Sequence, residues 1–288
     1  MSGMSNSRRS KIFNYVVVNG ERMLAEQAQT AIFNDALLSS FGVYETVKID
    51  QGRPFYLEDH LQRLHRSAEM IDLKLGVDVP TLARWFDRLI EVDRQASWGL
   101  RILALGALSP NRNALIAMQA NPLATYPESL YHQGASAVLY EGQRAIPNCK
   151  SLNTLVNFLA RTRATQAGAL EGLLHHNGCI TEGSRTNLFA VRAGKLITPP
   201  ESTILPGITR DIVLDVMRDT DYPVVEETIS TDLSQYDEFF ISSTSMHVMP
   251  ITRIEGRPIG NGQVGPVTKI TMVKFEAHYE QAIETVQV

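Results

Sequence analysis

The stretch EGLLHHNGCITEGSRTNLFAVRAGKLITPP, Glu171–Pro200, decides the fold class. Apolar runs flank Asn177-Gly178 and again Ala193-Gly194. They read as strands joined by tight turns, since Asn-Gly supplies the two positive-φ positions that a primed hairpin turn demands. Hairpins in succession, with helical patterns set before and after them, make the chain α+β.

Upstream of this stretch, SAVLYE reads as a strand and Leu152 to Gly168 as a helix closed by its glycine. Downstream, LPGITRDIVLDVM passes from loop to helix at Ile208 or Thr209, and PVVEE, EFFISS and VMPITRIEG read as short strands. A last amphipathic helix runs from about Pro266. In the first half, YVVVN and VYETVKID are strand-like, and Gln51-Gly52 turns the second into Arg53–Tyr56. Leu57, Leu61, Leu64, Ala68 and Ile71 recur at helical spacing, which puts His60, Arg63 and Ser67 on one face. Pro80 opens another helix through Leu89, followed by the strands LRILALG and ALIAMQA. Between Asn121 and Ser136 periodicity fades into Pro, Thr, Ser and Gly, so the expected division is a small domain over 1–122, a linker over 123–135 and a larger domain over 136–288. Residues 1–11 are expected to be disordered.

A chain of 288 residues, 44% hydrophobic and 20% charged, can build two ordinary cores. A net charge of -4 with mixed signs gives no footprint for nucleic acid or an anionic membrane, and small-molecule chemistry is the default. Cys149 and Cys179 form no CxxC pair and read as reduced thiols, the opening MSGMSNSRRSK has no apolar core of a secretory signal, and a cytoplasmic location is expected. No HExxH, Cys/His metal spacing, GxSxG or GxxxxGK[ST] occurs, so no metal site is expected.

Three features carry chemistry. Lys150, in IPNCKSLN, follows a strand and precedes a helical pattern; a lysine so placed becomes a Schiff-base nucleophile when burial or a neighbouring cation lowers its pKa, although most lysines are solvated surface charges. Glu182, in CITEGSRTNLF, ends a hairpin strand. A carboxylate ~4 Å from a heterocyclic nitrogen, at an effective dielectric of about 20, favours the protonated ring by about 4 kcal/mol. Gly207, Ile208 and Thr209 lie at a helix start, where free N–H groups favour an anion; Ser242 to Ser245 add successive hydroxyls, and Arg63 a guanidinium. Taken singly, each is as well explained by a turn, a cap or a helix surface.

In order along the chain, GVYETVK, EDHLQRLHRSAE, CKSLNTLVNFLA, ITEGSRTNLFAV, LPGITRDIVL, ISSTSMHVMPI and GPVTK resemble the class IV aminotransferases, the fold-type IV pyridoxal-phosphate enzymes. That resemblance implies a two-lobed fold with pyridoxal 5′-phosphate in the interlobe cleft of a homodimer. It makes Lys150 the catalytic residue and Glu182 the partner of the cofactor's ring nitrogen. Arg63, Ser184, Leu205, Gly207, Ile208, Thr209, Ser243 and Thr244 would complete the cofactor site, while Tyr44, Arg101, Arg112 and Ser245 would face the substrate.

Within the family, GVYETVK and KSLN are most similar to the D-amino acid aminotransferases, and Leu155 stands where branched-chain enzymes have a tyrosine. Where the D-amino acid type has SPRxH, this chain has SPNRN, so Arg112 and Arg101 both remain candidates for the substrate carboxylate. The expected activity is transfer of an amino group from a D-amino acid to a 2-oxo acid by a ping-pong mechanism. The alternatives are a branched-chain L-amino acid aminotransferase, an aminodeoxychorismate-lyase-like enzyme and a non-catalytic carrier of the cofactor.

Overall fold

A computed structural model describes residues 11–30, 34–107 and 112–285, which divide at Leu123/Ala124 into two compact units. Of the segment 1–11, only Lys11 is among the described residues, at the start of a short 3-10 turn, Lys11–Asn14. The segment 123–135, read as a linker, holds a short helix, Glu128–Gln133, and Ala135 already begins a strand.

The first unit comprises β1 (Tyr15–Val18), β2 (Glu21–Leu24), α1 (Asp35–Leu38), β3 (Gly42–Asp50), β4 (Arg53–Pro54), α2 (Leu57–Glu69), α3 (Val79–Ile90), β5 (Trp98–Leu105) and β6 (Leu115–Asn121). Its sheet runs β2-β1-β6-β5-β3-β4, antiparallel throughout. The turn at Gln51-Gly52 has positive φ at both residues, as the hairpin reading requires. Alternation along β3 buries Val43, Glu45, Val47 and Ile49 on the face that α2 covers and leaves Tyr44, Thr46 and Lys48 on the other. Asp78 caps α3, accepting from the Thr81 N–H at 2.9 Å, with Pro80 in the first turn. Leu61 and Leu64 of α2, Leu82, Phe86 and Leu89 of α3, and Trp98, Leu100 and Ile102 of β5 belong to the unit's core.

The second unit comprises α4 (Glu128–Gln133), β7 (Ala135–Glu141), α5 (Leu155–Gln166), β8 (Glu171–His176), β9 (Cys179–Gly183), β10 (Asn187–Arg192), β11 (Lys195–Thr198), α6 (Ile208–Met217), β12 (Val224–Glu226), β13 (Ile229–Ser230), β14 (Glu238–Ser243), β15 (His247–Ile254), β16 (Arg257–Pro258) and α7 (Pro266–Thr285). Its sheet runs β12-β11-β10-β14-β15-β7-β8-β9-β13, and a further pairing of β10 with β9 closes the strands between them into a barrel. The closing pair is Glu182 with Asn187. Both primed turns are present, with positive φ at Asn177, Gly178, Ala193 and Gly194. An extra residue in β9 opposite Leu174/His175 forms a bulge immediately before Glu182, a device that re-aims a side chain.

One boundary differs from the sequence reading in a way that matters for Lys150. The helix after it begins at Leu155, and Ser151 to Asn153 do not start it. Ser151 sits in an isolated bridge, and the Thr154 N–H reaches the Leu152 carbonyl at 2.8 Å, a tight turn that delays the helix. Lys150 therefore lies on an irregular connector between β7 and α5. The helix ends as expected, with Gly168 at φ 66° just past its last turn.

Candidate active site

A single loop assembles the chemistry in the second unit. Residues 201–207 connect β11 to α6, and three side chains fasten to them. Asn148 donates to the Glu201 and Ile204 carbonyls at 2.6 and 3.0 Å, which anchors the connector bearing Lys150. Asn187 donates to the Leu205 carbonyl at 2.8 Å, and the Leu205 N–H donates to Glu182 Oε2 at 3.4 Å. Gly207 is required at the next step, because a Cβ there would collide with Asn187 Oδ1. Lys150, half-buried, lies close enough to Glu182 for its charge to act on that carboxyl.

Glu182 is 3% exposed, and Arg144 is its strong partner, donating from Nε to Oε1 at 2.7 Å. Burial pushes the Glu182 carboxyl above its ordinary range, against the opposing pull of Arg144, the Leu205 N–H and Lys150. Register continues the row from Glu182 through Asn187 to Ser242 of β14. Paired residues in such a row share a face of the sheet. Ser242 Oγ is buried and has no hydrogen-bond partner among the described residues.

The start of α6 completes the constellation. Gly207 is its N-cap, no side chain caps the first turn, and Ile208 and Thr209 are buried. The other buried helix start, that of α7, shows what is missing. Glu238 accepts there from the Val267 and Thr268 N–H groups at 3.1 and 2.8 Å. A buried helix start without such a partner presents N–H groups that favour an anion.

Behind Glu182 lies a support that the sequence reading passed over. Glu171, fully buried at the start of β8, accepts from the Gly172 and Ser184 N–H groups, from Ser184 Oγ at 2.5 Å and from Thr186 Oγ1 at 3.2 Å. Asn157 of α5 adds a bond to the Ser184 carbonyl at 3.1 Å. Together they fix the turn that follows Glu182. Arg144 was also missed. Its signal was a lone arginine six residues ahead of Lys150, in a segment with little other charge.

The remaining expected residues fall as follows. Ser243 ends β14, with Thr244 and Ser245 half-buried in the turn to β15. Arg63, Tyr44, Arg101 and Arg112 belong to the first unit. Arg63, His60 and Ser67 are buried together on one face of α2. Arg63 donates from Nε and Nη2 to the two oxygens of Glu45 at 2.7 and 2.9 Å, and His60 Nδ1 donates to Glu45 at 2.8 Å. Arg101 pairs with Thr46 of β3 and Gln119 of β6, which puts it on the same face of the sheet as Tyr44. Arg112 is exposed, and Ser109, Pro110 and Asn111 of its motif lie outside the described residues. Among the described residues no cluster could hold a metal ion, and no helix is long and apolar enough to cross a membrane.

Comparison with known proteins gives this arrangement its class. The family model described as amino-transferase class IV matches residues 42–254, and the chain belongs to that family. It is an aminotransferase, of a family that works with pyridoxal 5′-phosphate. Among relatives, the D-alanine aminotransferase of Staphylococcus haemolyticus is 31% identical over 275 residues, which cover 92% of this chain and 98% of the relative. Among solved structures, the branched-chain amino acid aminotransferase of Escherichia coli superposes with a TM-score of 0.85 at 28% identity, covering 95% of this chain and 96% of its own. A second branched-chain enzyme, from T.th. and solved with pyridoxamine 5′-phosphate, gives 0.84 at 29% identity over 93% and 95% of the two chains.

The residues present fit the family's cofactor. An uncapped buried helix start suits a phosphate, the orphaned Ser242 hydroxyl suits a polar ligand atom, and Glu182, short of donors in its buried site, suits a ring N–H.

Proposed function

We propose that the chain transfers amino groups from D-amino acids to 2-oxo acids, with Lys150 as the catalytic residue. The observation that carries the reading is the 201–207 loop, which ties the Lys150 connector, Glu182 and the start of α6 to one short segment. Bound pyridoxal phosphate supplies the carbonyl that takes up the amino group and the ring that draws electrons away from the substrate Cα. The Lys150 amine moves a proton at that Cα. Glu182 holds a proton on the ring nitrogen, and its burial makes that contact stronger than it would be in water. Ile208 and Thr209 offer backbone N–H groups, and the hydroxyls at Ser242 to Thr244 a polar wall, to the phosphate. Arg63 is a phosphate binder in this reading, stiffened by its two-pronged bond to Glu45. Because the donor product departs before the acceptor binds, the kinetics are ping-pong.

The D-amino acid assignment rests on the relatives' names and on the GVYETVK and KSLN strings. A second reading, a branched-chain L-amino acid donor, is favoured by the solved neighbours and by Arg101 sharing a sheet face with Tyr44. A panel of single D- and L-amino acids mixed with cofactor-loaded protein, without acceptor, separates the two. The expected result is loss of the visible cofactor band with D-alanine and other D-amino acids. Loss with leucine, isoleucine and valine of L configuration alone would replace the first reading by the second. Silence throughout, with pyruvate released from aminodeoxychorismate, would point to the lyase.

A further inference from the structure

Arg144 stands outside every residue expected to touch cofactor or substrate, yet it makes the shortest contact to Glu182. From its geometry we infer that Arg144 is a positioning residue that decides which partner keeps the proton shared between Glu182 and the cofactor's ring nitrogen. The inference rests on the reading that Glu182 faces that nitrogen.

Two states compete once a ring nitrogen meets this carboxyl: a protonated ring beside a carboxylate, or a neutral ring beside a carboxylic acid. Burial alone favours the neutral pair, because each ion loses its water. Glu182 is 3% exposed and Arg144 6%, so the guanidinium acts through a medium of low dielectric. Its Nε–H lies 2.7 Å from Oε1, in direct contact with the carboxylate, and a ring nitrogen meeting the other oxygen would lie farther from the guanidinium than the carboxylate does. Arg144 therefore stabilises the carboxylate more than it disfavours the protonated ring. The Leu205 N–H, at 3.4 Å from Oε2, is too long to substitute for it.

The backbone contacts fix Arg144's partner as well. Pairing with Asn187 and the Glu171 clamp on the next turn hold the Glu182 backbone, and the 2.7 Å contact with Arg144 Nε holds its carboxyl. With Arg144 gone, the proton moves from the ring to the carboxyl and the ring withdraws electrons less strongly.

The test is ¹⁵N NMR of protein loaded with pyridoxal phosphate labelled at the ring nitrogen, titrated with acid and base. In the unaltered protein the ring nitrogen is expected to be protonated through neutral pH. In Arg144→Gln its titration is expected about one pH unit or more lower, a tenfold or larger change in the equilibrium. Arg144→Lys retains the charge but makes a single weaker contact, and is expected between the two; it also carries the test if the glutamine variant fails to fold. An unchanged nitrogen titration in whichever of these variants folds and loads would overturn the inference. Glu182→Gln distinguishes the two levels of failure. If it moves the nitrogen and the Arg144 variants do not, Arg144 is merely structural; if it too leaves the nitrogen unmoved, the pairing of Glu182 with the ring is wrong.

Discussion

Glu45 and Glu182 are both buried, and each is touched by an arginine Nε at 2.7 Å, yet their carboxyls are driven in opposite directions. Glu45 is held far below the ordinary carboxylate range: burial alone would raise it, but Arg63 and His60 more than reverse that. Glu182 ends above the ordinary range. Burial is the same in kind, so the difference lies in the donors. Glu45 receives two guanidinium N–H groups and an imidazole, and Glu182 receives one guanidinium N–H and a long backbone contact. The donors to Glu45 all come from within the protein. The cluster around Glu182 lacks a donor, and a ligand with a ring N–H would supply it.

The comparison predicts that damage to the two clusters will be read by different measurements. Removing the chemistry itself comes first. Lys150→Ala should lower amino-group transfer by about 10²- to 10⁴-fold, the usual contribution of a positioned proton-transfer group, and should abolish the visible band of the loaded protein. Its melting temperature should stay near that of the parent, because Lys150 lies half-buried on a connector that Asn148 anchors. A variant that keeps its band and its rate would remove Lys150 from the mechanism.

Next come the two glutamates. Glu45→Gln leaves Arg63 buried without its counter-charge and should cost about 3–5 kcal/mol of stability in urea unfolding. Glu182→Gln also leaves a buried guanidinium, Arg144, without its counter-charge, so stability falls there too; what sets it apart is an added loss of turnover, because the carboxyl's other partner is the cofactor's ring. If turnover falls equally in both and stability in neither, the contrast drawn between the two carboxyls is wrong.

The pH dependence should carry opposite signs. Glu45 has a folded pKa below its unfolded one, so its stabilisation is present above the unfolded value and fades as pH falls through about 4.5 and lower. Glu182 has a folded pKa above its unfolded one, so its contribution is fully present below the unfolded value and is lost as pH rises through the raised one. Cofactor-free protein should therefore gain stability over Glu45→Gln with rising pH across the acid range, and over Glu182→Gln with falling pH. Parallel slopes would contradict the assignment.

How far the sequence disclosed these clusters depended on whether their cause was local. The turns at Gln51-Gly52, Asn177-Gly178 and Ala193-Gly194 were legible because two adjacent residues specify them. The start of α6 was legible as a loop passing into helix. The barrel was not, since closing it through the short Glu182–Asn187 link also requires β14 beside β10 and β15 beside β7, partners distant in sequence. Arg63 was read as a guanidinium for phosphate or a helix-surface charge because its partner, Glu45, alternates inward on a strand whose neighbouring Tyr44 drew attention instead. Arg144 escaped for the same reason, its partner being 38 residues away. The late start of α5 escaped because Ser-Leu-Asn is common at helix starts, while the turn that delays it is a backbone bond.

The smallest effect is expected at a further buried glutamate, Glu171, and it sharpens what Glu45 and Glu182 teach. Glu171 is as inaccessible as Glu45 but meets no cation among the described residues; its oxygens are met by two N–H groups and two hydroxyls. Dipoles that converge in fixed positions can satisfy a buried carboxylate without a counter-charge. Ser184→Ala removes the shortest of these bonds and should cost about 1–3 kcal/mol in urea unfolding, the range for taking a partner from a buried polar group. That is less than Glu45→Gln, because two N–H groups and Thr186 remain. Turnover should fall through the loosened turn after Glu182, and adding excess pyridoxal phosphate should restore part of the stability, as any ligand that binds the folded state does. If excess cofactor restores no stability to Ser184→Ala, the turn that Glu171 holds does not serve the cofactor site.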